Sequence, residues 1–215
     1  MVNDFIELPA NKASLARRKL VHGVGINDAD YIVKPTIKLI RTACPYYTTW
    51  EGMLSRCYSR RMSDKHRTYK DCYVCKEWLL FSVFKKWMIT QEWHGLEIDK
   101  DIKIPDNKIY SPSTCLFVSS SLNTLFNKNK SSRGKYPIGV YFYKRTGKFK
   151  SQCRTRIKKV SLGYHETIEE ARLAYVNFKN SIIEREANLP INKKIKIYIL
   201  NHMELNENPL VKGNE

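Results

Sequence analysis

Five residues at alternate positions, Lys148, Lys150, Gln152, Arg154 and Arg156, carry the clearest chemistry in the chain. In an extended strand alternate side chains share one face, so these five form a ladder with a step of ~7 Å, close to the spacing of successive phosphates along one DNA strand. Cations on such a ladder neutralise a phosphate backbone. A two- or three-stranded ribbon also fits the major groove, where arginine bonds guanine bidentately and glutamine bonds adenine, so Arg154, Arg156 and Gln152 are the candidate base readers. A second group has the opposite sign. Glu97, Asp99 and Asp101 surround Lys100 at the end of an alternating stretch, Leu96 to Ile104, and cluster carboxylates where a strand gives way to the turn Pro105-Asp106-Asn107-Lys108.

The ladder needs a sheet to hold it. From Ile138 to Ile157 the pattern has period two on both sides of a turn at Arg145, Thr146 and Gly147, which predicts a hairpin. The odd positions of its second strand are Phe149, Ser151, Cys153, Thr155 and Ile157, so one face is apolar or small and the other is basic or polar. Lys159 to Tyr164 reads as a third strand with Val160 and Leu162 on one side. Thr167 and Glu170 have the spacing of a capping box, and Ala171, Ala174, Tyr175, Phe178 and Ile182 form a helical stripe suited to covering the inner face. Tyr141, Tyr143, Arg145 and Lys158 complete the candidate DNA-contacting set. A small sheet with one solvated face would also carry lysine and arginine, but such faces usually mix both signs and this one does not.

Charge points the same way. The 215 residues hold 38 Lys+Arg against 21 Asp+Glu, a formal net charge of +17, and from Asn107 to His165 there are 13 basic residues and no acidic one. A polyanionic partner follows from that excess. The apolar residues Ile138, Val140, Phe142 and Phe149 inside this block argue for a folded segment rather than a solvated tail. No apolar run reaches the ~18 residues of a membrane span, and the N-terminus lacks the features of a signal peptide, so the expected setting is the cytoplasm and not secretion. The six cysteines read as reduced thiols. Cys72 and Cys75 form one CxxC pair, which with Cys57 and Cys44 would assemble four thiols, yet no second pair accompanies it and a structural zinc is not expected. The five histidines show no metal-ligand spacing.

Composition divides the chain into an irregular lead-in (1–45), an aromatic-rich domain with all four tryptophans (46–127), a basic linker (128–136), the sheet domain (137–190) and a tail (191–215). In the second of these, Tyr47, Trp50, Leu54 and Cys57 have helical spacing, as do Trp78, Phe81, Phe84 and Met88. Strand, turn, strand and helix follow, with Tyr110 to Val118 as turn and second strand and Ser119 to Phe126 as the helix. The fold class is therefore α+β.

Residues 138–179 resemble the Apetala-two/ethylene-response-factor DNA-binding domain, through Gly139-Val140, Gly147-Lys148-Phe149, Leu162-Gly163-Tyr164 and the run from Thr167 to Tyr175 with Glu169-Glu170-Ala171. That resemblance implies three antiparallel strands packed on one helix, with the sheet in the major groove of double-stranded DNA. Phe149 stands where the family usually has tryptophan, and only Arg154 and Arg156 match its strand arginines.

Residues 46–127 are similar to the phage-type HNH endonucleases, through Trp50, Met53, Arg56 and Cys57, then Val74, Cys75 and Trp78, then Asp99-Lys100-Asp101, Asn107, Tyr110-Ser111-Pro112 and Asn123. The resemblance implies a ββα-metal core in which Asp99 and Asn123 bind Mg²⁺ or Mn²⁺, with Asp101 as a substitute or extra ligand, and in which a divalent ion stabilises the leaving oxygen of the broken phosphodiester. It marks Asp99, Lys100 and Asn123 as the catalytic positions. Two letters depart from the pattern: Lys100 replaces the histidine that activates water, and Thr114 replaces the asparagine that orients it. A lysine with its usual pKa of ~10.4 does not accept a proton at neutral pH. Two functions are thus expected: a site-directed DNA endonuclease of the HNH homing type, or a DNA-binding regulator whose nuclease core has decayed.

Overall fold

A computed structural model describes residues 5–37, 39–60, 69–126, 135–155 and 157–203 of the chain. The fold is mixed α+β, as expected, and divides into two compact units, 1–117 and 118–215. Among the described residues no helix is long and apolar enough to cross a membrane.

The first unit contains α1 (Lys12–Ala16), β1 (Thr36–Ile37), β2 (Ile40–Arg41), α2 (Pro45–Tyr58), β3 (Tyr73–Val74), α3 (Phe81–Ile89), β4 (Glu97–Asp99), β5 (Ile109–Tyr110) and β6 (Leu116–Val118), with the division between units falling inside β6. Proline at the start of α2 costs nothing, because the first turn of a helix has no partner for that amide. The helix buries Tyr47, Trp50, Met53 and Leu54 against Trp78, Phe81, Phe84 and Met88. The spacing of those last four residues predicts one helix, but the chain forms a 3-10 turn over Lys76–Leu79 and becomes extended at Leu80 before α3 begins. The reason is competition for backbone groups. The Ile26 amide donates to the Leu79 carbonyl (2.8 Å) and the Phe81 amide to the Ile26 carbonyl (3.0 Å), so the lead-in segment takes the bonds a continuous helix would need. The same segment buries Ala29, Tyr31 and Val33 in this core.

Two short strand pairs carry the loops of interest. β3 runs parallel to β5, and β4 pairs with β6. Alternation from Leu96 to Ile104 predicts a longer β4, yet the strand stops at Asp99. Its side-chain Oδ1 accepts the amides of Asp101 (2.7 Å) and Ile102 (2.8 Å), which folds the chain into a turn there.

The second unit contains α4 (Ser120–Phe126), β7 (Val140–Tyr143), β8 (Lys148–Arg154), β9 (Lys159–His165), α5 (Ile168–Ala187), a 3-10 turn (Pro190–Ile195) and α6 (Lys196–Leu200). The three strands form an antiparallel sheet in the order β7-β8-β9. The expected capping box opens α5: the Glu170 amide donates to Thr167 Oγ1 (3.2 Å) and the Thr167 amide to Glu170 Oε2 (3.4 Å). Cys153, Tyr175 and Val176 form the buried contact between sheet and helix, flanked by Ile138, Leu162 and Phe178. The helix runs on to Ala187 and buries Ile183 as well, and Ile199 of α6, in the stretch the composition assigned to the tail, is fully buried.

Gly139 makes the sheet-to-helix contact possible. Its φ is +82°, and an added Cβ would stand 2.1 Å from Tyr175 Cδ2 and 2.8 Å from the Gln152 carbonyl oxygen. Gly139→Ala therefore combines a left-handed backbone with a clash against the main chain, and is expected to cost the second unit about 3 kcal/mol or more. Gly147→Ala, at φ +70° with nothing within 4 Å, should cost only about 1 kcal/mol. Thermal denaturation of the two variants checks the contrast.

Candidate nucleic-acid interface and the carboxylate loop

The register of the sheet sorts its side chains. Across β7 and β8 the pairs Tyr141 with Lys150 and Tyr143 with Lys148 lie on one face, while Val140 with Ser151 lies on the other, where Ser151 is fully buried. Across β8 and β9 the outer face continues through Lys150 with Tyr164, Gln152 with Ser161 and Arg154 with Lys159. Lys148, Lys150, Gln152 and Arg154 therefore project from the side opposite α5, where strand alternation placed them. Arg145 and Lys158 are exposed in the turns at the two ends of β8, so the face spans roughly six residue steps, ~20 Å. Arg156 lies outside the described residues.

The outer face is more ordered than a row of solvated cations. The Lys150 ammonium lies 5.4 Å from the Tyr164 ring centroid and 5.9 Å from that of Tyr141, and the two tyrosines hold its pKa above the usual lysine value through hydrogen bonding to Tyr141 first. Tyr143 and Tyr164 pack with ring centroids 5.3 Å apart, and the Arg145 guanidinium stands 5.7 Å from the Tyr143 ring. The Tyr141 hydroxyl donates to Gln152 Oε1 at 3.0 Å. Lys148 differs from its neighbours because its ammonium is paired with Glu166.

Tyr164, Lys159 and Ser161 also belong to this face, beyond the residues that alternation on β8 predicts. Simple alternation puts Tyr164 on the side of Val160 and Leu162. A register shift opposite Ser151 and Gln152 inserts one extra residue in β9, Leu162, beside Gly163 with φ +110°, and turns Tyr164 outward. The one available signal is Gly163 itself, since a glycine within a strand often marks a bulge.

In the first unit the carboxylate loop is organised by Lys100, which is only 4% exposed. Its ammonium donates to Asp101 Oδ1 and to the Asn107 carbonyl, both at 2.6 Å. Asn107 closes the loop from the other side, with Nδ2 donating to the carbonyls of Lys100 (2.9 Å) and Ile109 (2.6 Å) and Oδ1 accepting the Ile109 amide (3.1 Å). Thr114 is a second clasp. Its buried hydroxyl donates to the Ile109 carbonyl (2.9 Å) and accepts the Ser111 amide (3.1 Å). Arg56 reaches the same region, with Nε donating to the Tyr110 hydroxyl at 3.2 Å.

This arrangement decides how well a divalent ion fits. Asp99 spends Oδ1 on two backbone amides, Asp101 gives Oδ1 to an ammonium, and the cation between them is already a lysine. Two carboxylates and one ammonium leave a single net negative charge, which is weak holding for Mg²⁺ or Mn²⁺. Asn123 lies on α4 of the second unit. Among the described residues no three of His, Cys, Asp and Glu gather as a metal-binding group. The donors of the first unit, as arranged, do not fit a divalent ion. Burial pushes the Cys57 and Cys115 thiols up to about 12, so both stand protonated at neutral pH.

Burial raises the pKa of Asp99, against the opposing pull of its backbone hydrogen bonds and of Lys100. A carboxylate whose folded pKa lies above its unfolded value binds more protons when folded, so stability falls as pH rises from the unfolded pKa through the folded one. Asp99→Asn keeps the Oδ1 acceptor and removes the desolvated charge. It is expected to match the parent at acid pH and to melt higher at neutral pH, read from melting temperature across a pH series.

Comparison of the chain with family models, with curated proteins and with solved structures finds no match.

Proposed function

We propose that the chain is a double-stranded DNA-binding protein that selects its site with the outer face of the three-stranded sheet and uses the first unit as a scaffold derived from a phage-type HNH nuclease core. One observation carries the reading. Lys150, Gln152 and Arg154 project from one face of the sheet, with Lys159 beside them and α5 on the opposite side, and no acidic side chain interrupts the row. The scaffold half rests on Lys100, whose ammonium is tied to Asp101 and the Asn107 carbonyl at the position where a nuclease of that type would need a base.

A second reading is metal-dependent strand cleavage of the HNH homing type, with Mg²⁺ or Mn²⁺ on an ββα-metal core. Its one support is the Asp99 carboxylate oxygen that lies outside the backbone bonds, and it requires the donor set around Lys100 to rearrange. The test uses the full chain on duplex DNA from its own genomic neighbourhood, with and without Mg²⁺ or Mn²⁺. Retarded duplex with intact strands supports the scaffold reading. Metal-dependent nicks that Asp99→Ala and Asn123→Ala abolish, with binding retained, would replace it by the nuclease reading. Absence of duplex binding in low salt would sink both.

A further inference from the structure

We propose that Tyr141 determines which base the sheet accepts, by holding Gln152 as a hydrogen-bond donor, so that the face takes a base pair presenting acceptors in the major groove and discriminates against adenine opposite Gln152. This rests on the reading of the sheet as the DNA-binding surface. The observation is the 3.0 Å hydrogen bond from the Tyr141 hydroxyl to Gln152 Oε1. An amide side chain has one acceptor and one donor group, and glutamine reads adenine by using both, the oxygen on N6 and the nitrogen on N7. With Oε1 turned along the sheet toward the neighbouring strand, Nε2 is the group left to meet a base.

Tyr141 is itself held in place. It pairs with Lys150 in the β7-β8 register, and the Lys150 ammonium lies over its ring at 5.9 Å. The neighbours of Gln152 on β8 add only donors, since lysine and arginine have no acceptor. Lys150, Gln152 and Arg154 together thus present an unbroken run of donors. Its complement is an edge rich in acceptors: guanine offers N7 and O6 and thymine offers O4, whereas adenine offers N7 alone and sets beside it an N6 donor that finds no acceptor on this face. Gln152 alone, read as a residue type, points to adenine; its partner on the next strand reverses that.

The experiment is selection of binding sites from a random duplex library by the full chain, by Tyr141→Phe and by Gln152→Ala, followed by competition titration of the selected duplexes. Circular dichroism confirms that the variants remain folded; Tyr141→Phe keeps the ring and loses only the hydroxyl. The parent should disfavour adenine at one position, Tyr141→Phe should shift that position toward adenine by tenfold or more and by more than any other position, and Gln152→Ala should erase preference there. The same selected site for the parent and Tyr141→Phe would overturn the proposal. So would duplex binding with no preference at any position, which would leave duplex binding standing but not site selection by the sheet; no duplex binding by any of the three would overturn the DNA-binding reading as well.

Discussion

Replacing Lys150 and Arg154 together with alanine should weaken binding to the selected duplex by about a hundredfold, the sum of two contacts worth roughly 1 to 3 kcal/mol each. The two side chains occupy the outer face with Arg154 exposed, so the contact of Cys153 with Tyr175 and Val176 on the inner face is untouched and the melting temperature should hardly move. Salt separates the two ways they could act. If both contact phosphates, the slope of log affinity against log salt falls by about 2 and sequence preference survives. If Arg154 reads a base, preference at one position relaxes as well. Lys148→Ala is the internal control. Its charge is already paired with Glu166, so its loss should cost severalfold at most. An equal loss for all three lysine and arginine positions would mean that the sheet attracts DNA by net charge alone, without a defined contact face.

Trp50→Ala should unfold the first unit at ordinary temperatures. The indole is fully buried, with ring centroids 5.5 Å from Tyr47 and 5.4 Å from Phe81, and truncation of a buried aromatic costs about 3 to 5 kcal/mol. Its Nε1 also donates to the Trp78 carbonyl at 2.7 Å, so the substitution strands a buried acceptor at about 1 to 3 kcal/mol more. The total approaches the whole stability of a small domain, typically 5 to 15 kcal/mol. Trp50→Phe keeps most of the ring and loses the donor, so it should fall between the two. Near-ultraviolet circular dichroism follows the aromatic core directly, since Tyr47, Trp50, Trp78 and Phe81 all lie in it. A near-parental melt for Trp50→Ala would mean that the lead-in segment and α3 hold the unit without it.

Much of the sheet domain was legible because its signals are local. Period two on β8, the glycine turn and the Thr167–Glu170 capping box each involve residues within a few positions of one another, and the hydrophobic effect then puts the apolar parity against the helix. Lys148, Lys150, Gln152 and Arg154 share the outer face for that reason. The departures arise where the deciding partner is distant in sequence. Ile26 interrupts the helix expected from Trp78 to Met88, because it competes for backbone groups 53 to 55 residues away. Asp99 ends β4 early by a side-chain bond to its own following turn, a choice alternation cannot register.

The site shows the same division. Residue types alone established that this chain carries a basic strand face, a carboxylate loop with a lysine at its centre, and a mixed α+β fold, because charge, alternation and capping are properties of neighbouring residues. Tertiary structure decided the rest. The extra residue in β9 brought Tyr164 beside Lys150, the β7-β8 register set Tyr141 against Gln152, and burial tied Lys100 to Asp101 and Asn107. Each of these depends on which strand or loop lies alongside, and a hydrogen bond or ring contact between segments has no trace in the order of residues within either one.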